Sequence, residues 1–231
     1  EYGEGGSIVI IDKEKAAKIL NKEISSNEAE TLLANSDSKF WSDSNEIVEV
    51  YKEEPIFEGQ FSNESYQERV YEAIENFNEQ NKRNILSDWE NIIFHLPYAF
   101  HGRRMIINKW LDWMNENDRI DEIYSEIGKP ESNQDKDWVK KVSKSRLYKK
   151  FVEDKIAPGE MASSEIGNMY TASIFMSLIS SLVDASNNDK NFEDKKIGFI
   201  SYGSGSKAKI FEGTVQKNWI EKTNTIKLFD G

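Results

Sequence analysis

The sequence predicts an α/β fold, and three observations carry that prediction. Short β-branched runs stand behind glycines or ahead of a proline, at Gly5-Gly6-Ser7-Ile8-Val9-Ile10-Ile11 and at Asp88 to Phe94 before Pro97. Between such runs, apolar residues recur at helical spacing. A mostly apolar helix, Ile166 to Asp184, is followed by a strand that is apolar on both faces, Lys196 to Tyr202. Strands and helices in alternation bury a sheet beneath helices.

The elements follow in order. Ile8 to Ile11 and Ile19 to Ile24 read as strands. Asn27 to Asn45 is polar and turn-rich, anchored by Phe40 and Trp41. Ile47 to Tyr51 alternates apolar and charged residues, as an edge strand does. Glu54 to Ser62 is a loop, and Ser62 opens a helix with Ser65, Tyr66, Val70, Ile74 and Phe77 on one face. Tyr98 to Asn115, Asp118 to Gly128 and Asp135 to Val152 read as three helices, joined by a loop over Lys129 to Gln134. Ile156 to Ser164 also reads as a loop. The Ile166 to Asp184 helix is apolar on most of its circumference, so it is expected to be buried. Its exception is a stripe of Ser173, Ser177 and Ser180, small enough to let a neighbour approach. Gly203-Ser204-Gly205 turns the chain, and Lys207 to Val215 returns as an antiparallel partner.

Composition narrows the function. The 231 residues carry 30 Lys and Arg against 41 Asp and Glu, a formal charge of -11. Polyanions attract basic surfaces, so nucleic acid and anionic membrane are poor partners for this chain. Cysteine is absent, which excludes a disulfide framework, a Cys-ligated zinc and a thiol nucleophile within these residues. No apolar run reaches the roughly 18 residues that cross a bilayer, and the cytoplasm is the expected location. The chain opens on Glu1-Tyr2-Gly3 without an initiator Met and stops at Asp230-Gly231, so a piece of a longer protein is expected.

Four features carry chemistry. His95 stands at the end of a buried strand, where α/β sheets place ligands. It is either a hydrogen-bonded loop histidine or a general acid. His101 is expected on an exposed helix face. Asn168, in Gly167-Asn168-Met169-Tyr170-Thr171, is either the N-cap of the long helix or an amide aimed into a cleft. Tyr202-Gly203-Ser204-Gly205 is either a hairpin turn or a place where a substrate can approach bare backbone. Arg103, Arg104 and Lys109 form a basic cluster that can hold a phosphate or can simply be solvated.

Taken in this order, the motifs resemble the 3-hydroxy-3-methylglutaryl-CoA synthase family of the thiolase superfamily. The resemblance rests on Phe94-His95-Leu96-Pro97-Tyr98, Gly167 to Thr171 and Ile197 to Gly205, with Glu54 to Ser62 and Gly3 to Ser7 as weaker support. It implies a thiolase-like layered fold, represented by a C-terminal half with a mixed sheet, a central buried helix and a peripheral helical insertion. The implied division is residues 1–25 ending the N-terminal half, 26–97 opening the C-terminal half, 98–160 the insertion and 161–231 the remaining core.

The resemblance also implies a Claisen-type condensation of acetyl-CoA with acetoacetyl-CoA, both substrates, with no cofactor and no metal. His95 then polarises the acetoacetyl ketone. Asn168 and Ser204 line the acyl pocket with Tyr202 and Gly203, Ser62 lies near the acyl-CoA, and Arg104 with Arg103 meets the CoA phosphates. Phe100 departs from the pattern, since many members carry a lysine there, and this leaves room for another thioester carrier. The family's nucleophilic cysteine and general-base glutamate lie in its N-terminal half, so this chain alone is expected to be inactive. The implied partners are acyl-CoA thioesters, that N-terminal half and a second copy in a homodimer. Two other readings stand beside this one: a β-branching relative acting on acyl-carrier-protein thioesters, and a non-catalytic thiolase-like subunit.

Overall fold

The computed structural model describes residues 59–132, 135–203 and 207–229. The strands expected at Ile8 to Ile11, Ile19 to Ile24 and Ile47 to Tyr51 lie outside the described residues. Packing divides the chain into two units, Glu1–Ala73 with Tyr202–Lys209 and Ile74–Ser201 with Ile210–Gly231.

Within the first unit, the opening of helix α1 (Gly59–Asn81) buries Tyr66 and Val70. These lie four residues apart, one turn along a single face. Tyr66 stacks on Tyr202, with ring centroids 4.2 Å apart and 12° between planes.

The second unit is built on a short parallel strand pair. After α2 (Ile85–Asp88), β1 (Asn91–Phe94) pairs with β2 (Lys196–Gly203) in the register Asn91 with Ile197 through Phe94 with Ile200. All four β1 residues and Ile197 to Ile200 are buried, as expected for strands covered on both faces. The strand β3 (Lys207–Thr214) completes the order β1-β2-β3 among the described residues. Only three residues separate β2 from β3, too few for a parallel crossover, so these neighbours run antiparallel and the sheet is mixed.

Seven helices connect or cover these strands. They are α3 (His101–Met105), α4 (Ile107–Glu116), α5 (Ile120–Ile127), α6 (Lys136–Val142), α7 (Arg146–Lys155), α8 (Ala157–Ile166) and α9 (Ala172–Asn187). A short α10 (Trp219–Thr223) follows β3. The core joins Ile93, Ile174, Ala185, Phe192, Ile197, Phe199 and Trp219.

Three expectations are corrected. The helices expected over Tyr98 to Asn115 and Asp135 to Val152 are each divided in two. The second divides because Ser145 caps a new start, its side chain accepting from the Tyr148 N–H. The segment expected as a loop over Ile156 to Ser164 is helix α8. Its proline sits at the first turn, where a missing N–H costs no intrahelical bond. Gly167 (φ 88°) ends α8 instead of opening the next helix, its N–H bonded to Ser163 O.

The third correction concerns α9, which is not buried all round. Its serine-bearing face is the covered one, with Ser173, Ser177, Ser180 and Ser181 all buried, while Phe175 remains 59% exposed. The neighbour that the small stripe admits is α8. A Cβ at Gly159 would lie 3.2 Å from Ile93 Cδ1 and 3.5 Å from the Ser177 carbonyl oxygen. Ser180 Oγ accepts from Ala162 N (3.3 Å) and donates to Pro158 O (2.6 Å), joining groups one turn apart on α8. Asn91, also buried, is satisfied from both sides. Its amide donates to Asp154 O and Lys155 O (3.2 Å each), and it accepts from Ser181 Oγ (3.0 Å).

Candidate functional site

The β1–β2 pairing continues one residue past β1, where the His95 N–H donates to Ile200 O at 2.9 Å. This fixes the backbone of His95 at the sheet edge, and its ring is half-buried. From α9, Ser173 Oγ accepts from Leu96 N at 3.0 Å and lies 3.2 Å from His95 Nδ1. Burial lowers the His95 pKa, because a cation loses its hydration there. The imidazole is therefore held neutral near pH 7, in a fixed frame, with a hydroxyl on Nδ1.

The α3 helix approaches the same strand end through Gly102. A Cβ there would lie 2.7 Å from Phe94 Cδ2, so only glycine permits this closeness. The approach buries His101, contrary to the expectation of an exposed face; it is 2% exposed and meets the Tyr98 ring edge-on at 4.5 Å between centroids. Its pKa falls to about 4, chiefly from burial, then from the neighbouring His95 and Arg104. His95, His101 and Arg104 thus share one neighbourhood.

The basic cluster separates into three fates. Arg103 is committed: its guanidinium donates through Nε to Glu160 Oε2 at 2.8 Å, pairs again through Nη2, and stacks over Phe100 at 4.7 Å. The Tyr148 hydroxyl donates to Arg103 O. Glu160 is buried, which raises its pKa against the lowering pull of Arg103. Lys109 is paired with Glu75 at 2.5 Å. Arg104 alone of the three stays exposed and makes no ion pair among the described residues, its guanidinium 5.7 Å from the Tyr98 ring centre.

Arg104 also lines an open cleft of about 920 Å³, together with Arg103, Lys140 and Lys149 and a single acid, Glu153. Ile107 and Val152 give it an apolar floor. His95 is not on its walls, so Arg104 is the link between the histidine pair and the cleft. A cleft of this size and charge suits a long anionic ligand with an apolar stem.

The remaining sequence-derived residues are placed as follows. Asn168 is exposed, and its Oδ1 accepts from Tyr170 N at 2.8 Å; it shapes the loop before α9 and is not the N-cap, which is Thr171. Ser62 is exposed on the first turns of α1, in the first unit. Tyr202 stacks on Tyr66, and burial pushes its phenol up to about 12, so it stays neutral. Gly203 is exposed at the end of β2. Ser204 lies outside the described residues. What sequence reasoning did not find is the contact of Ser173 with His95, the burial of His101 and the pairing of Glu160 with Arg103.

Residues 48–230 match the family model described as hydroxymethylglutaryl-coenzyme A synthase C terminal. The chain belongs to this family. Among curated relatives of the hydroxymethylglutaryl-CoA synthase family, the enzyme of Haloferax volcanii is 25% identical over 199 residues, covering 81% of this chain and 45% of the relative. That of Aspergillus fumigatus is 29% identical over 213 residues, covering 80% and 44%. The chain thus spans about half the length of the curated relatives it matches. Among solved structures, MvaS in complex with 3-hydroxy-3-methylglutaryl coenzyme A aligns with a TM-score of 0.54 at 22% identity, over 75% of this chain and 40% of that one. The Curacin pathway HMG synthase in complex with holo donor-ACP aligns at 0.51 and 17% identity, over 72% and 33%. These likenesses show the thiolase-like α/β fold expected from the sequence. Among the described residues, no helix is long and apolar enough to cross a membrane.

Proposed function

We propose that this chain is the C-terminal portion of a hydroxymethylglutaryl-CoA synthase that condenses acetyl-CoA with acetoacetyl-CoA in the mevalonate route. The supporting observation is the family match over residues 48–230 together with a sheet-anchored, neutral His95 next to an exposed arginine on a basic cleft. In this reading the His95 ring donates a hydrogen bond to the acetoacetyl ketone oxygen. That oxygen gains negative charge as the acetyl carbanion attacks its carbon, so a fixed donor stabilises the transition state more than the ground state. A neutral imidazole keeps one ring N–H, which is the donor this role needs.

Arg104 takes the CoA phosphates at the mouth of the cleft. Arg103, which braces α3 through Glu160 and also lines the cleft, is the second phosphate residue of this proposal. Asn168, Ser204, Tyr202 and Gly203 remain the acyl-pocket residues of this proposal, with Ser62 near the thioester. The nucleophilic cysteine and the general base come from the N-terminal half, and no cofactor or metal takes part. The cytoplasm, a homodimer and the divisions after residues 25, 97 and 160 belong to the same reading.

A second reading has one observation in its favour. Phe100 is 45% exposed beneath the Arg103 guanidinium, at a position where many family members present a lysine to CoA. An apolar residue there fits a carrier-bound phosphopantetheine, which lacks the adenosine phosphates. Condensation assayed in the full-length protein with acetoacetyl-CoA and with an acetoacetyl carrier protein separates the two. Preference for the CoA substrate is the expected result. Preference for the carrier transfers the function to β-branching, and binding of thioesters without turnover of either transfers it to a non-catalytic subunit.

A further inference from the structure

Ser173 stands in a sequence stripe of small residues, but its hydroxyl does more than fill space. The residue is fully buried. Its oxygen accepts the Leu96 N–H at 3.0 Å, which uses one lone pair and fixes where the remaining lone pair and the proton can point. Its other partner is His95 Nδ1 at 3.2 Å.

Two proton arrangements satisfy that contact. In one, Nδ1–H donates to the serine oxygen, and the serine proton is left without an acceptor in a site closed to water. In the other, the serine proton goes to Nδ1, and every polar group in the trio is used. Burying an unpaired hydroxyl proton is unfavourable, so the second arrangement prevails.

We propose that Ser173 is a positioning residue that holds His95 as the tautomer protonated on Nε2. The Leu96 N–H aligns the hydroxyl, the hydroxyl occupies Nδ1, and the ring proton is confined to the opposite nitrogen. The same device operates about two turns further along α9, where Ser180 accepts Ala162 N–H and donates to Pro158 O. For the condensation, this presents Nε2–H as the donor to the ketone oxygen. That consequence rests on the proposed synthase function, whereas the tautomer itself does not.

The experiment is nitrogen-15 imidazole NMR on the uniformly labelled 231-residue chain. It has two histidines, so a His95→Ala sample assigns the signals by their loss. At pH 7 the wild type is expected to show His95 Nδ1 as an unprotonated acceptor and Nε2 as protonated. In Ser173→Ala, with the fold checked by circular dichroism, the two ring signals are expected to shift toward each other as the Nδ1–H form becomes populated. Ser173→Thr, which keeps the hydroxyl, is expected to restore the wild-type pattern. A wild-type proton on Nδ1, or unchanged ring signals in Ser173→Ala, would overturn the proposal. No substrate is present, so these outcomes stand apart from the synthase reading, which fails separately if the full-length protein binds no acyl thioester.

Discussion

Adding a single methyl group at Gly198 should disturb the strand that anchors His95. A Cβ built there falls 1.8 Å from Trp89 Cε3, 2.0 Å from Cδ2 and 2.1 Å from Cζ3, far inside contact distance. Neither side can give way freely. Gly198 pairs with Ile92 in the middle of the parallel ladder. Trp89 is fully buried, and its Nε1–H donates to Glu212 Oε2 at 2.8 Å. Glu212 also meets Arg83 at 3.1 Å and Lys196 at 2.6 Å, so moving the indole disturbs a charged group with three partners.

Overpacking by one methyl typically costs about 1–3 kcal/mol, and losing a buried tryptophan about 3–5 kcal/mol. Gly198→Ala is therefore expected to cost about 3 kcal/mol, roughly a hundredfold in the folding equilibrium. Urea unfolding followed by circular dichroism measures this as a lowered midpoint at unchanged slope. Gly213→Ala is the control. Its nearest new contact is Phe199 Cε2 at 3.9 Å, an ordinary distance, and a change within about 0.5 kcal/mol is expected. A Gly198→Ala variant as stable as wild type, or a Gly213→Ala variant equally damaged, would refute the packing argument.

Three further outcomes are expected. In the full-length protein, Arg104→Ala should raise the KM for CoA substrates about tenfold, the loss of one exposed charge-assisted contact, with little effect on carriers that lack the adenosine phosphates; an equal effect on both would remove Arg104 from the phosphate role. His101 titrates near 6.5 when unfolded and near 4 when folded, so the unfolded state binds the extra proton and stability falls as pH drops from 6.5 to 4, by up to about 3 kcal/mol. Glu160, whose pKa is raised, works in the opposite sense, so the effect is read as the difference between wild type and His101→Leu in urea unfolding; parallel pH profiles would contradict it. The purified 231-residue chain, which has no thiol, should give no synthase turnover, and measurable turnover would show that the nucleophile has been misassigned.

The sheet was legible because its signals are local. Ile92-Ile93-Phe94 before Pro97 and Ile197 to Ile200 behind a polar linker mark buried strands without knowledge of what covers them. The α8 helix was not legible, because Pro158 and Gly159 look like breakers in isolation. Their positions, a first turn and a close approach to Ile93 and Ser177, exist only in the packed chain. His95 was visible as a strand-end histidine within a family motif. Its ligand Ser173, 78 residues later, carried no local signal beyond small size. His101 was misread for a related reason: the burial follows from Gly102 seating α3 on Phe94, a contact between elements that periodicity does not encode. Arg103 and Arg104 are adjacent and chemically alike. Both line the cleft, and only the buried Glu160 decides that Arg103 is ion-paired while Arg104, among the described residues, is not.

The role assigned to His95 is open to a direct kinetic separation. In the full-length protein, His95→Ala should leave acetylation of the enzyme by acetyl-CoA within a few-fold of wild type. Condensation with acetoacetyl-CoA should fall by about 100-fold or more, the loss that follows removal of a donor to a developing oxyanion. Unchanged condensation, or acetylation and condensation falling in equal proportion, would contradict a histidine that acts on the ketone.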